Sequence, residues 1–374
     1  MTVGLRLARE SLGLLPESPP APSIDELRRE LGLERVLSLG LNEGPDGPFP
    51  SALRAIAAAT PSLNRYPGRG SRELGRALAA RHGVSEGQVF VAAGADAVIG
   101  YVAQAVLEPG DEIVTAWPSF PSFARDAQKR DAVPVAVPLV DGHADLDAMV
   151  AAVGPRTRLV FLATPNNPTG LVVSRDDALA FVAALPDHVL PVLDEAYFDY
   201  VDPADRLDGI ADVVRAGRPA LVLRTFSKLY GLAGLRVGYG VGPEPLVAAM
   251  RKVQRGYDVG SLAQVAALAS IGPGNEAEVE RRQARNREAV AALDRVLSDA
   301  GLATLGPSAA NFVLADVGER ADALVTALLR QGVVVQPGEP FGAPTAVRVT
   351  AGTPDELALL AERLPVALAA RARA

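Results

Sequence analysis

One stretch of the sequence decides the fold of the whole chain: Arg224-Thr-Phe-Ser-Lys-Leu-Tyr-Gly-Leu-Ala-Gly-Leu-Arg-Val-Gly-Tyr239. It places a single lysine, Lys228, in a run that is otherwise apolar and rich in glycine. Apolar surroundings disfavour the charged ammonium form, so the pKa of such a lysine falls and its amine becomes nucleophilic. An isolated lysine after a strand is more often a solvated loop residue, so the neighbouring residues must decide between the two interpretations.

The residues on either side of Lys228 indicate what its amine would react with. Ser227 precedes it and Arg236 follows it, and a hydroxyl and a guanidinium are donors that commonly hold a phosphate group. A nucleophilic amine forms a Schiff base with an aldehyde. An aldehyde that carries a phosphate is pyridoxal 5'-phosphate (PLP), so the stretch predicts a PLP site.

Two segments upstream strengthen this prediction. Val189-Leu-Pro-Val-Leu-Asp-Glu-Ala-Tyr197 is an apolar strand that ends in Asp194, and Thr164-Pro-Asn-Asn-Pro-Thr-Gly170 follows another apolar strand. Together with the stretch around Lys228, they resemble the fold-type I PLP enzymes of the aspartate aminotransferase superfamily. The similarity is greatest to the histidinol-phosphate aminotransferase-like branch of the class I/II aminotransferases. It extends from about residue 39 to about residue 353.

The composition of the 374 residues limits the class of protein. With 49% hydrophobic and 22% charged residues the chain can form a large core, and its length is typical of two domains. A net charge of −7 argues against a general binder of nucleic acid or of anionic membranes. The absence of cysteine excludes disulfides, cysteine-based zinc sites and thiol nucleophiles, and the three histidines lack metal-ligand spacing.

Nothing in the sequence indicates a membrane protein or a secreted protein. Apolar runs do not reach the about 18 residues that a membrane span needs. The first residues mix leucine and arginine and lack the pattern of a signal peptide. The sequence therefore predicts a cytoplasmic protein without a metal and without a membrane or nucleic-acid partner.

Short apolar strands alternate with helical segments from residue 71 onward. Seven strands are predicted at 89–93, 112–115, 132–138, 159–163, 189–193, 220–224 and 236–241. Several are apolar throughout, as strands covered on both faces must be, and the alternation implies a mainly parallel sheet between helices. The predicted fold class is α/β, a fold-type I PLP transferase with a large sheet domain and a smaller C-terminal α/β domain.

Breaks in this pattern predict the domain boundaries. Gly272-Pro-Gly274 interrupts the chain, and a long charged helix predicted at 276–300 would connect two domains. We expect an N-terminal arm and part of the small domain in 1–40, a large PLP-binding domain in 41–272 and a small C-terminal domain in 273–374. The first 38 or so residues are predicted to be a polar arm with one short helix. Pro365 is expected to end or kink the last helix.

Candidate site residues stand at the carboxyl ends of the predicted strands, where parallel sheets bind ligands. Asp194 ends one strand, Asn167 follows a second, Gly94 to Asp96 follow a third, and Lys228 follows a fourth. Because the carboxyl ends of parallel strands meet at one edge of a sheet, we expect these residues to share one site.

Four positions suit the ring of the cofactor. Asp194 as a carboxylate would pair with the protonated pyridine nitrogen and keep the ring an electron sink. Tyr197 and Asn167 would donate to the phenolic oxygen of the ring, and Phe120 matches the position where the family stacks an aromatic side chain. Taken alone, Asp194 is as readily a helix N-cap, Asn167 belongs to a good turn, and the two aromatic residues are ordinary core residues.

The phosphate of the cofactor is expected at the start of a helix. Gly94, Ala95 and Asp96 open a predicted helix, whose free N–H groups and positive dipole end attract anions. Ser227 and Arg236 would add side-chain donors to the same phosphate. A glycine before a helix is common, so this prediction depends on the others.

Further residues are implied by the resemblance. Tyr66 matches a family tyrosine that reaches the cofactor phosphate of the neighbouring subunit, which implies a homodimer. Asn42 and Glu43 match the amino-terminal motif that covers the bound substrate. Arg348 matches the arginine that binds the anionic end of the substrate, and its planar guanidinium suits a bidentate contact with a carboxylate. Without the resemblance, Arg348 would as readily be a solvated residue at a strand edge.

The implied reaction is transamination between an amino acid, or an amino-acid-like amine, and a 2-oxo acid. Lys228 would hold the cofactor and then act as the general base that moves a proton from the substrate α-carbon. PLP-dependent decarboxylases, cyclases and oxidases of this fold carry the same set of residues, so the sequence leaves these reactions open. A PLP-sensing regulatory domain is disfavoured, because no DNA-binding domain precedes the fold and the net charge is negative.

The substrate side of the site departs from the branch that it resembles. Histidinol-phosphate aminotransferases usually carry a second arginine in the strand before Arg348, where this chain has Gln336. A neutral amide is a poor replacement for a guanidinium that faces a phosphate. Gly44 and Asp46 stand where the family often has larger or aromatic residues. We therefore expect an altered substrate, with an aromatic, hydrophobic or specialised monocarboxylate amino acid as the alternative to histidinol phosphate.

Overall fold

The structure is a computed structural model that describes residues 20–204 and 206–371, with residues 9, 12–13 and 15–17 before them. The strands form two separate sheets. They are β1 (Leu37–Leu39), β2 (Val89–Ala92), β3 (Glu112–Trp117), β4 (Val133–Pro138), β5 (Thr157–Ala163), β6 (Leu190–Asp194), β7 (Leu221–Thr225), β8 (Gly238–Val241), β9 (Ala303–Thr304), β10 (Phe312–Asp316), β11 (Val333–Pro337) and β12 (Ala346–Thr350).

Helices cover both sheets. They are α1 (Ile24–Leu31), α2 (Pro50–Ala59), α3 (Arg72–His82), α4 (Ala95–Val106), α5 (Ser122–Gln128), α6 (Leu146–Ala151), α7 (Arg175–Ala184), α8 (Glu244–Val253), α9 (Ser261–Ser270), α10 (Glu276–Asp299), α11 (Ala321–Arg330) and α12 (Pro354–Arg371). Within the described residues, no helix is both long enough and apolar enough to cross a bilayer.

The larger sheet has seven strands in the order β2-β8-β7-β6-β5-β3-β4. Strand β8 is antiparallel to both of its neighbours, and all other adjacent pairs are parallel. The predicted α/β fold with a mainly parallel seven-stranded sheet is therefore confirmed. Helices α3, α7 and α9 pack on one face of this sheet, and helices α4, α5 and α8 pack on the other. This double cover explains why strands such as β6 and β7 are apolar along their length.

The second sheet has five strands in the order β1-β11-β12-β10-β9, and α10, α11 and α12 pack against it in a core of their own. Strand β1 comes from the region predicted to be a polar arm, and that prediction is wrong at its end. Leu37 and Leu39 are buried and pair in parallel with Val333 and Val335. A strand of three residues is too short to show a periodic pattern, and its partner lies near the other end of the chain.

Two further details differ from the sequence-based expectations. Helices α2 and α5 were not predicted, although α2 begins with a proline at its first position and is rich in alanine, both of which favour a helix. Helix α12 continues through Pro365 to Arg371, so of the two expected effects of Pro365, an end or a kink of the helix, the end is wrong. Leu364 and Ala367 are buried on either side of the exposed proline. Packing of these neighbours holds the helix together where the proline removes one backbone hydrogen bond.

Residues 40–48, here called the crossing segment, connect β1 in the second sheet to α2 beside the first. Gly44 lies where an added Cβ would come within 3.3 Å of the Lys228 carbonyl oxygen, so a larger residue there would crowd the chain. Asp46 accepts hydrogen bonds from Arg285 at 2.6 Å and from Arg281 at 3.2 Å, both on α10. The crossing segment therefore lies between the loop that carries Lys228 and helix α10.

Candidate active site

A cavity of about 440 Å³ opens at the carboxyl edge of the seven-stranded sheet and is closed on the other side by the crossing segment, β11 and β12. Its volume is in the range of sites that bind small molecules. Most of the residues predicted from the sequence line it together: Asn42, Glu43, Ala95, Asp96, Phe120, Asn167, Asp194, Tyr197, Ser227, Lys228, Arg236 and Arg348. The residues share this edge because β2, β5, β6 and β7 run in the same direction.

Lys228 stands just beyond the end of β7 and reaches the crossing segment. Its Nζ donates to the carbonyl oxygens of Asn42 at 2.9 Å and of Leu41 at 3.3 Å. Burial, reinforced by the nearby positive charge of Arg348, lowers the pKa of Lys228 to about 7. The amine is therefore available in its neutral, nucleophilic form near neutral pH.

Asp194 is the last residue of β6, and one oxygen of its buried side chain accepts a hydrogen bond from the Ala196 N–H at 3.0 Å. Burial raises the pKa of Asp194 to about 6. A carboxylate with so little solvent gains stability from a cationic partner placed next to it. The site therefore favours a ligand with a protonated ring nitrogen at this point.

Tyr197 packs its ring edge-on against Phe312, with 5.2 Å between the ring centroids. Its hydroxyl oxygen accepts a hydrogen bond from Asn42 Nδ2 at 2.8 Å. Burial raises the pKa of Tyr197, so the hydroxyl keeps its proton and can donate it in a hydrogen bond.

Arg348 extends from β12 to the opposite wall of the cavity. One guanidinium nitrogen, Nη1, donates to Asn167 Oδ1 at 2.5 Å, and Nη2 donates to the Gly40 carbonyl at 2.7 Å. The buried Nε has no hydrogen-bond partner among the described residues. Burial lowers the pKa of Arg348 to about 10, so the guanidinium is still charged at neutral pH. A buried cation with a free donor fits an anionic ligand group.

A cradle for a phosphate lies at the start of α4. Gly94 has φ +93°, and an added Cβ there would lie 2.8 Å from Arg236 Nη2, so glycine allows the arginine to approach. Nη1 of Arg236 donates to Ser227 Oγ at 3.3 Å and to the Ala233 carbonyl at 3.1 Å. Ala95 and Asp96, at the start of α4, line the same cavity as these side chains, and the first N–H groups of a helix are free to bind an anion.

The remaining predicted residues have varied surroundings. Phe120 is half-buried and lines the cavity. Glu43 is exposed at the rim of the cavity, where its carboxylate accepts a hydrogen bond from the Ser38 hydroxyl at 3.1 Å. Asp96 forms a long ion pair with Arg125 at 3.7 Å.

Tyr66 is the one predicted site residue that lies away from the cavity. Its side chain is 83% exposed, and its ring stacks on that of Tyr257 with 4.7 Å between the centroids. The guanidinium carbon of Arg69 lies 5.7 Å from the ring centroid of Tyr257. The structure of the single chain therefore does not bring Tyr66 together with the other candidate residues.

A buried ion pair beneath the cavity was not predicted from the sequence. Arg224 on β7 donates twice to Glu195 Oε2, at 2.9 and 2.7 Å, and once to Asp208 Oδ1 at 2.8 Å. The Phe198 ring lies 3.4 Å from the guanidinium carbon. Both residues are neighbours of the site in sequence, since Glu195 follows Asp194 and Arg224 lies shortly before Lys228. A charged residue at the end of each apolar strand is the signal that could have revealed the pair.

The chemistry of the residues that line the cavity fits PLP. Lys228 offers an amine of lowered pKa, Asp194 a carboxylate for the ring nitrogen, and Arg236 with Ser227 a phosphate cradle. The close approach of Arg236 to Gly94 is a specific feature that a side chain at position 94 would block.

Comparison with known proteins gives a consistent result. The family described as aminotransferase class I and II matches residues 34–364. A histidinol-phosphate aminotransferase of Moorella thermoacetica is 40% identical over 92% of this chain and 89% of the relative. A histidinol-phosphate aminotransferase 2 of Ralstonia nicotianae is 42% identical over 92% of this chain and 93% of the relative.

Solved structures show the same similarity. The crystal structure of histidinol-phosphate aminotransferase from Sinorhizobium meliloti in complex with PLP has a TM-score of 0.85 at 32% identity, covering 96% of each chain. Aspartate aminotransferase from Thermus thermophilus with maleate has a TM-score of 0.83 at 24% identity, covering 96% of this chain and 99% of the other. The second likeness concerns the fold alone.

Proposed function

The chain belongs to the class I and II aminotransferases, and on this premise we propose which of its residues carry out transamination and on what donor. It is an enzyme, a PLP-dependent transaminase. When bound, PLP supplies an electron sink that stabilises negative charge on the carbon next to the amino group. The proposed roles rest on one observation: Lys228, Asp194 and Arg348 line the same cavity.

In the proposed roles, Lys228 binds the cofactor covalently and, once released, moves a proton at the α-carbon of the substrate. A pKa of about 7 supports both tasks, because the Nζ atom can accept and give up a proton near neutral pH. The carbonyls of Leu41 and Asn42 hold Nζ at the cavity wall when it is free. The crossing segment that supplies these carbonyls also forms part of the cavity wall.

Other residues of the chain would orient the cofactor. Asp194 would hold the ring nitrogen in its protonated form, and Tyr197 and Asn167 would donate to the phenolic oxygen. The amide oxygen of Asn167 already accepts from Arg348, which leaves its N–H2 group for this purpose. The cradle would bind the phosphate through Gly94, Ala95, Asp96, Ser227 and Arg236. Phe120 would stack on the ring.

Covalent attachment through Lys228 can be tested chemically, because the sequence contains only two other lysines, Lys129 and Lys252. Both are exposed, so they provide matched controls. Reduction of the loaded protein with borohydride should fix the cofactor on the peptide that contains Lys228, as read by mass spectrometry. Lys228→Ala should lose the visible absorption and turnover, whereas Lys129→Ala and Lys252→Ala should keep both. Attachment at another lysine, or full turnover of Lys228→Ala, would refute the assignment.

We further propose that the amino donor is a monocarboxylate amino acid with an aromatic or other hydrophobic side chain. Three cationic residues line the cavity within the described part of the chain, Lys228, Arg236 and Arg348. With Lys228 and Arg236 assigned to the cofactor, Arg348 alone can bind an anionic group of the donor. Its free Nε suits a carboxylate. Phe341, which also lines the cavity, adds apolar surface near Arg348, whose guanidinium carbon is 4.6 Å from the ring centroid.

A screen of amino donors against 2-oxoglutarate would test the proposed donor, with histidinol phosphate included because the relatives are named for it. We expect the highest kcat/KM for a hydrophobic monocarboxylate amino acid. A clear preference for histidinol phosphate would reject this donor class and leave the transaminase assignment intact. Formation of the pyridoxamine form by the donor and its reversal by a 2-oxo acid separate transamination from decarboxylation, cyclisation or oxidation.

The functional unit is proposed to be a homodimer in the cytoplasm, in which Tyr66 reaches the cofactor phosphate of the other subunit. Its support is the match of Tyr66 to the family tyrosine that reaches the neighbouring subunit, together with the 83% exposure of that residue in the single chain. We also propose the division into an arm with part of the small domain (1–40), a large domain (41–272) and a small domain (273–374). The separate core around β1 and β10 to β12 supports it.

A further inference from the structure

Asn42 lies in the crossing segment, in a backbone conformation that few residue types adopt. Its φ is +54°, in the left-handed region that favours glycine, asparagine and aspartate, and only 1% of its surface is exposed. Its N–H donates to Thr350 Oγ1 at 2.9 Å, and the Thr350 hydroxyl donates to Asn42 Oδ1 at 3.2 Å. These two hydrogen bonds fix the amide so that Oδ1 faces Thr350 and Nδ2 is free to contact another residue.

The partner of Nδ2 is the hydroxyl oxygen of Tyr197, at 2.8 Å. An amide nitrogen can only donate, so the tyrosine oxygen is the acceptor and its own proton must point elsewhere. Tyr197 lines the cavity, where a ligand oxygen can receive that proton. A hydroxyl that accepts one hydrogen bond also donates more strongly in the next, because successive hydrogen bonds polarise each other.

The backbone of the same residue contacts the lysine. The Asn42 carbonyl accepts from Lys228 Nζ at 2.9 Å and from Asn311 Nδ2 at 3.1 Å. Asn42 thus reaches Tyr197 through its side chain and Lys228 through its main chain. A change of the side chain alone can separate the two contacts.

We propose that Asn42 is a positioning residue that directs the hydroxyl proton of Tyr197 into the cavity, toward the ring oxygen of the cofactor. The inference rests on the proposed function, in which Tyr197 donates to that oxygen and Lys228 bonds to the cofactor. A proton directed there stabilises negative charge on the ring oxygen. It thereby lowers the pKa of the neighbouring nitrogen that Lys228 contributes, since an oxygen that accepts the tyrosine hydrogen bond stabilises the protonated form of that nitrogen less. Loss of the Asn42 amide should raise this pKa.

The experiment follows the visible absorption of the cofactor-loaded protein as a function of pH, which reports protonation of that nitrogen independently of turnover. Asn42→Gly removes the amide while it keeps the carbonyl and tolerates the left-handed backbone. Thr350→Ser is the matched control, because it disturbs the packing of the same segment while it keeps the hydroxyl that orients the Asn42 amide. Tyr197→Phe, alone and combined with Asn42→Gly, completes a double-mutant cycle.

Other charged groups also face the two residues and contribute to the midpoint of this titration. They are Asp194 from β6, Arg236 before β8, Arg348 from β12 and Glu43 from the crossing segment. All of them are unchanged in every variant. A difference between the variants can therefore be assigned to the amide and the hydroxyl.

In Asn42→Gly we expect the midpoint to rise by about half a pH unit or more, a size typical of one altered hydrogen bond in a buried network. Thr350→Ser should shift the midpoint by only a small fraction of that change, and Asn42→Gly should add nothing in the Tyr197→Phe background. An unchanged midpoint in Asn42→Gly, or an equal rise with and without the tyrosine hydroxyl, would overturn the inference. If the unaltered, cofactor-loaded protein shows no visible absorption band that depends on Lys228, the proposed function itself would be rejected.

Discussion

Gln336 and Arg348 face each other directly across the antiparallel pair of β11 and β12, and both side chains line the cavity. Gln336 therefore occupies the position from which a second cation would act on the same ligand group as Arg348. Its amide nitrogen instead makes a local contact with the Pro337 carbonyl at 3.3 Å. This pairing is the structural basis for expecting a donor whose anionic group is a singly charged carboxylate and not a phosphate.

Gln336→Arg should improve the use of a donor with a phosphate group. A charge-assisted hydrogen bond to the anion is worth about 1.5–3 kcal/mol, so kcat/KM for histidinol phosphate should rise by about 10- to 100-fold relative to a hydrophobic amino acid. Gln336→Met, which is neutral and of similar length, is the control and should show no such change. If Gln336→Arg and Gln336→Met change kcat/KM for histidinol phosphate relative to a hydrophobic amino acid by the same factor, the charge at position 336 does not set the donor preference.

The pH dependence of stability should reveal the lowered pKa of Lys228. Its pKa is about 7 in the folded chain and 10.5 in the unfolded chain, so between these values the unfolded state binds more protons. The contribution of Lys228 to stability is therefore most unfavourable below about pH 7 and improves as the pH rises toward 10.5.

Cofactor-free Lys228→Met should accordingly be more stable than the cofactor-free unaltered protein, by about 2–5 kcal/mol near pH 6.5. The difference should shrink steadily toward pH 10, as measured by urea unfolding. Lys252→Met, at an exposed lysine, should show almost no difference at any pH. A gap between Lys228→Met and the unaltered protein that stays constant with pH would show that the lysine titrates normally.

The buried pair of Arg224 and Glu195 should be sensitive to the loss of one partner. Arg224→Met leaves the fully buried Glu195 without its cation and should cost about 3–5 kcal/mol of unfolding free energy. The double variant Arg224→Met with Glu195→Gln should recover much of this loss. The exposed pair of Arg76 and Glu86 serves as the control, since Arg76→Met should cost less than about 1 kcal/mol. Equal losses at the two sites would mean that burial of the first pair has no energetic consequence.

Tyr66 provides a test of the homodimer. If it serves the site of the other subunit, Tyr66→Ala should weaken cofactor binding about 10-fold or more, although the residue lies outside the cavity of its own chain. Mixing Tyr66→Ala with Lys228→Ala would place one intact site in each mixed dimer, and activity should reappear. Tyr257→Ala removes the stacked partner and tests whether the effect comes from the ring pair alone. Activity that never returns in the mixture would contradict the shared site.

Much of the site was predictable because its residues stand where apolar strands end. Asp194 and Lys228 could be grouped from the sequence alone, since the carboxyl ends of parallel strands share one edge. The hydrogen bond between Asn42 and Tyr197 could not be found in this way, because it joins residues that are far apart in the sequence and belong to different parts of the fold. The three-residue strand β1 was missed for the same reason, as its pairing with β11 decides its structure.

The pairing of β1 with β11 also has a consequence for the order of assembly. Leu37 leaves the ribosome early, but its partner Val333 is synthesised only when the chain is almost complete. Contacts so distant in sequence form slowly, and domains fold as units during synthesis. The seven-stranded sheet can thus fold before β11 is synthesised, when residues 37–48 still lack the strand with which β1 pairs. The segment that closes one side of the cavity is then among the last parts of the newly synthesised protein to become ordered.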